Sequence, residues 1–237
     1  MYKFSGISAV RTQIAGNPHW LVILALLFLA SDALLIGLNI VWRGFDLLDV
    51  WPPRPAIVEV GNDYGIPEIL NFTKCICVAS VLLFLTPASQ RRLYIPVALV
   101  FLLLFTDDVF RVHENAGVWL GENYLTMFDA GKQANTVGQV VYSVGLAIIV
   151  YGTMLFCVMR ANGTAHDVIR RLFVLLIWLG FFGVGVDFFN SAILGTLNMG
   201  ALDAFGSLVE NGGEMIIFSL CVWTVAVAIN HTSRIPV

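Results

Sequence analysis

Six apolar stretches follow one another along the chain, near 20–41, 67–86, 93–112, 136–159, 172–194 and 205–229, with polar and turn-forming residues gathered between them. Each is about 20 residues long, enough for a helix to cross a hydrocarbon layer about 30 Å thick. The pattern predicts an all-α integral membrane protein built as a six-transmembrane-helix bundle. Spans and connections use nearly all of residues 1–237, which leaves a single polytopic membrane domain and no separate soluble unit. Trp20 and Trp42 bracket the first stretch as interfacial rings would. That stretch carries Asp32, is too long for a signal peptide and lacks a small-residue cleavage site, so it is expected to be retained.

Orientation follows from the flanks, because short loops rich in Lys and Arg resist translocation. With the N-terminus inside, the inner segments hold Lys3, Arg11, Arg91, Arg92, Arg160, Arg170, Arg171 and Arg234, against Arg43, Arg54 and Lys132 outside. Of 16 acidic residues, Asp167 alone falls in an inner loop. Both termini are therefore expected on the cytoplasmic side of a cell inner membrane, with the connections 42–66 and 113–135 outside.

Composition agrees with this pattern. Hydrophobic residues make up 58% of the chain and charged residues 12%, where a soluble domain carries roughly 25% charge. The net charge is −3, and the basic inner rim is explained by topology and anionic lipid without a nucleic-acid partner. Cys75, Cys77, Cys157 and Cys221 all fall within spans without a C-x-x-C spacing, as packing residues would.

The residues that carry candidate chemistry are acids inside spans, where ionisable groups are costly and usually face a bundle interior or a wet cavity. At the helical rise, Asp107 and Asp187 each lie about 22 Å along their outward-running spans and Glu210 about 8 Å along the inward-running last one. These three depths coincide, and Asp32 and Glu214 lie slightly nearer the midplane. Residues three or four apart share a helix face. Asp203, Ser207, Glu210 and Glu214 thus form one polar stripe, and Gly180, Gly183, Asp187, Asn190 and Ser191 a second, small at its centre. Asp107, Asp108, Arg111 and Glu114 share a side of a third helix. Gly138, Gly145 and Gly152 predict close packing of the fourth span on a neighbour.

Asp32, Asp107, Asp108, Glu114, Asp187, Glu210 and Glu214 face only Arg111 and Lys74 as internal cations, so several must bind protons, meet water or coordinate a metal ion. Oxygen-rich sets of this kind favour a divalent metal ion of the hard or borderline sort. The expected ligands are Asp107, Asp108, Glu114, Asp187, Glu210 and Glu214. Glu210 and Glu214, flanked by Asn211, Gly212 and Gly213, are the candidate catalytic acids; Asp32, Arg111, His113, Asn190 and Asn211 are placed as proton-handling or supporting groups.

Structural alternatives stand beside these roles. Arg111 can pair with Asp107 and Glu114 along the helix, and Lys74 can snorkel to headgroups. On an unbroken helix His113 points about 120° from Asp107, as a surface residue. Gly183-Val-Gly185-Val-Asp187 is similar to the G-x-G-D of intramembrane aspartyl proteases, but it carries an extra residue before the Asp, and six spans are too few for that family. Lys74 in the second span does not suit a retinal protein, and H-E-x-x-H is absent. The sequence therefore predicts a metal- or proton-binding membrane enzyme or cation-handling protein, with the bilayer as its environment and membrane-protein partners or self-association open. The alternative is an accessory subunit of a larger membrane complex with no chemistry of its own.

Overall fold

The computed structural model describes residues 19–48, 55–62, 64–86, 90–124, 132–186, 189 and 200–232, and among them there are helices and turns but no strand. The helices are α1 (His19–Leu48), α2 (Ile66–Leu85), α3 (Arg91–Val109), α4 (Val112–Tyr124), α5 (Lys132–Arg160), α6 (Gly163–Val186) and α7 (Gly200–Thr232). Among the described residues, five helices are long and apolar enough to cross a membrane, and six segments are if α3 and α4 count as one broken span. The last turns of α2 and α6, Val81–Leu85 and Phe181–Val186, widen into π-helix, a local expansion often found at functional sites.

Two departures from the expected boundaries have a clear physical cause. The stretch expected at 172–194 begins as a helix at Gly163, because Arg170 and Arg171 sit on its exposed side while Val168, Ile169 and Leu172 face inward. The two arginines mark one face of a helix, not a loop. The stretch expected at 93–112 ends at Val109, where the chain bends by 67° into α4.

α7 is the central helix, packing on α1, α2 and α6; α5 packs on α3, α4 and α6, and α3 on α2. The main apolar core fills the half of the bundle where α3 and α6 begin and α7 ends, around Val97, Phe101, Ile169, Leu172, Cys221 and Val222. The cysteines are free thiols packed among these helices.

The opposite half, where α2 begins and α3 ends, is held by polar groups. Asn39 of α1 donates from Nδ2 to the Val58 carbonyl at 2.9 Å and accepts from the Val60 N–H at 3.0 Å. These bonds pin the 55–62 segment over the bundle. Gly61, at φ +93°, lies so close to α7 that a Cβ would come within 3.0 Å of Ser207 Oγ and Asn211 Nδ2, a conformation and approach that glycine alone accommodates readily.

Lys74 does not snorkel. Its ammonium is fully buried, 2.6 Å from Asp32 Oδ1, and also donates to the Met215 carbonyl at 3.1 Å and to Asn71 Oδ1 at 3.2 Å. Ser219 donates to the other Asp32 oxygen at 2.6 Å. One ion pair thus joins α1, α2 and α7, and it gives Asp32 a cation of its own.

The fourth-span glycines behave unequally. A Cβ on Gly138 would run into the Gly117 carbonyl of α4, and one on Gly121 would come within 3.0 Å of Ala134 and Asn135, so the α4–α5 hairpin is packed backbone to backbone. Gly145 and Gly152 meet nothing within 4 Å. The sevenfold spacing carries each successive glycine farther up α5, beyond the end of short α4.

Candidate cation site

The α3–α4 break creates the site. After Asp108 the backbone closes with two short turns, from Phe110 N–H to the Thr106 carbonyl and from Arg111 N–H to the Asp108 carbonyl, both at 3.1 Å. Arg111 then adopts φ +48°, a region that costs a non-glycine residue energy. The reversal redirects the chain, so His113 does not project away from Asp107 as it would on a continuous helix. Its Nδ1 lies 3.2 Å from Asp107 Oδ2. Tyr142 of α5 donates to Asp107 Oδ1 at 2.8 Å. Both oxygens of this buried carboxylate, 6% exposed, are thereby oriented by neighbouring helices.

Asp107, Asp108 and His113 each offer a ligand atom, and these atoms lie within 4.8 Å of one another. Two carboxylates and an imidazole at that separation could hold a metal ion. An ion shared with Asp107 would take Nδ1 in place of this contact, because the other ring nitrogen points away from that carboxylate. Arg111 stands 3.6 Å from Glu114 and over the Tyr64 ring, 5.3 Å from its centroid. The ladder expected of Arg111 is therefore present at its Glu114 end, on the rim.

The cluster opens on a part-open cavity of about 590 Å³ lined by α2, α3, α4, α5, α6, α7 and the 55–62 segment. Asp107, Asp108, Glu114, Glu210 and Glu214 all line it, as do Arg111, His113 and Asn211. The acids of the third and last spans thus share one space. Asp32 is not among its lining residues, being turned to Lys74 below. Asp187 and Asn190 lie outside the described residues, as does Ser191.

The small residues of α6 now have a physical reason. A Cβ on Gly183 would collide with Glu214 Oε1, and one on Gly180 with the Tyr151 hydroxyl, which donates to the Leu176 carbonyl at 3.1 Å. These glycines make room for polar groups reaching across from α7 and α5.

Sequence reasoning did not select Glu68, Asn71, Gln139, Tyr142 or Ser143, which also touch the site or line the cavity. Their signal was available. Glu68, Asn71 and Lys74 are spaced by three along α2, and Thr136, Gln139 and Ser143 by three and four along α5, each a polar face on an otherwise apolar helix.

A protein-family model described as Domain of unknown function (DUF8692) matches residues 21–229. No curated protein and no solved structure matches the chain at a significant level.

Proposed function

The chain belongs to the DUF8692 family, a membership that carries no activity with it, and on the cavity alone we propose that it is a multi-pass membrane protein binding a divalent cation at an acidic intramembrane site. In this reading residues 1–237 form one polytopic domain of six spans, α3 and α4 together making one. The positive-inside distribution of Lys and Arg supports cytoplasmic termini in a cell inner membrane, with the cavity towards the outer face. Asp107, Asp108 and His113 are the ligands and Tyr142 the group that orients Asp107. Glu210 and Glu214, on the facing wall, are the acid–base pair for a substrate held beside the metal, which would polarise that substrate or its water.

The observation that carries this reading is the gathering of two carboxylates and an imidazole within 4.8 Å at the wall of a substrate-sized cavity. The cavity wall also favours reaction over passage, since its polar groups give way to Leu104, Leu146, Leu176 and Phe218 towards the bundle centre.

Elemental analysis of protein purified without chelators tests the assignment. Wild type is expected to retain a divalent metal at about one per chain, and Asp107→Asn with Asp108→Asn to lose it while remaining monodisperse. Glu210→Gln with Glu214→Gln should retain it more weakly. Equal metal content in wild type and the Asp107/Asp108 variant, or none in either after reloading, would remove the coordination reading.

A further inference from the structure

Along α3, α5 and α7 the lining of the cavity changes from polar to apolar towards the bundle centre, and α6 adds apolar residues there. On α5 the wall passes from Gln139 and Ser143 to Leu146 and Val150; on α7 it passes from Glu210 and Glu214 to Phe218. On α3, Asp107 gives way to Leu104, and α6 supplies Leu176. The cavity therefore has an acidic upper half and a mainly apolar floor, in which the Tyr151 hydroxyl donates to the Leu176 carbonyl at 3.1 Å.

Its size decides what the floor is for. An ion with six waters takes about 200 Å³, from about 30 Å³ per water, whereas the cavity holds about 590 Å³. The remainder is in the range of sites that bury a small organic ligand. Water gains nothing along an apolar wall, and a hydrocarbon group would fill it with favourable transfer and dispersion energy. The charge of the upper half decides the head. Six lining carboxylates, from Glu68 to Glu214, stand against the single guanidinium of Arg111 among the described residues. Even with a divalent ion bound the wall stays formally acidic, which attracts a cation and repels an anionic head.

The geometry points to a single-chain amphiphile with an amine head as the ligand of this cavity. Its ammonium is held on the Glu210–Glu214 wall, across from Asp107, Asp108 and His113, and its chain lies between Leu104, Leu146, Leu176 and Phe218. The inference deepens the cation-site reading by naming the substrate class that would lie beside the metal.

The test uses the full chain in neutral phosphatidylcholine nanodiscs, with a photoreactive long-chain alkylamine and the matching alkyl carboxylate as probes. The amine probe is expected to label the floor, at Leu104 and Leu176, in a manner displaced by dodecylamine. The carboxylate probe should label it about tenfold less. Ala147→Phe and, separately, Leu176→Trp, which fill the floor, should each cut labelling by about tenfold, while Ile148→Phe on the outward face leaves it unchanged. Labelling confined to outward residues such as Leu99 and Ile148, or equal labelling by both probes, overturns the inference. Metal content measured on the same samples separates the two ideas. Floor labelling lost in wild type with metal retained sinks the amphiphile alone. Floor labelling retained without metal sinks the metal alone.

Discussion

Removing the Lys74 ammonium is the sharpest test of how this bundle holds together. Lys74→Met keeps most of the side-chain volume and takes the charge away from Asp32, 2.6 Å distant, and from the Asn71 and Met215 oxygens. Asp32, 1% exposed, would retain the Ser219 hydroxyl at 2.6 Å. Deleting one partner of a buried pair costs about 3–5 kcal/mol because the other charge is left desolvated. For a chain of this size that is on the order of 10 °C in the unfolding midpoint. Ser219→Ala removes one hydrogen bond to a carboxylate and should cost about 2 kcal/mol. Lys74→Met combined with Asp32→Leu removes both charges and leaves apolar groups of similar size, so it should return to within about 1 kcal/mol of wild type. Thermal unfolding in nanodiscs, followed by circular dichroism and tryptophan fluorescence, gives the ranking. A single Lys74→Met variant melting within about 2 °C of wild type, or a double variant no more stable than the single, would refute the reasoning.

Further expectations concern the cavity wall and the hairpin beside it. Tyr142→Phe should weaken metal binding by about tenfold to a hundredfold without unfolding the protein, the usual cost of losing a hydrogen bond to a ligand; calorimetric titration of the metal-stripped chain reads it. Gly138→Ala should destabilise by about 1–3 kcal/mol because the added methyl meets the Gly117 carbonyl. Gly145→Ala, with nothing within 4 Å, should be neutral or stabilising by up to about 1 kcal/mol in the same melting assay. Arg111→Gly should stay within about 1 kcal/mol of wild type, relief of the positive φ offsetting loss of the rim ion pair with Glu114. Arg111→Val, β-branched at the same φ, should be clearly less stable than Arg111→Gly.

The apolar runs made most of the helices legible, and depth along them brought Asp107, Asp187 and Glu210 to one level, with Glu214 slightly nearer the midplane. What depth and helical phase could not supply was a change of direction. His113 is on the wrong face of a straight helix, and only the reversal at Phe110–Arg111 brings it to Asp107; neither residue is a glycine or proline that would announce a break. The sequence allows Lys74 two places, internal cation or headgroup contact, for a related reason. A lysine within about a helical turn or two of a span's end can reach either headgroups or the interior, and the choice is made by Asp32, 42 positions away in sequence. The small residues of α6 were legible as a face, but their purpose lay in the side chains opposite, Glu214 and Tyr151, which no periodicity within α6 can reveal.

The bend between α3 and α4 makes the pairing of Asp107 with His113 a matter of register. One residue inserted or deleted between Val109 and Val112 would turn the following helix by about 100° and carry the imidazole off its carboxylate, even with every side chain of the site intact. A chain that diverges by substitution can keep this centre, whereas a single-codon indel at that corner would abolish it in one step.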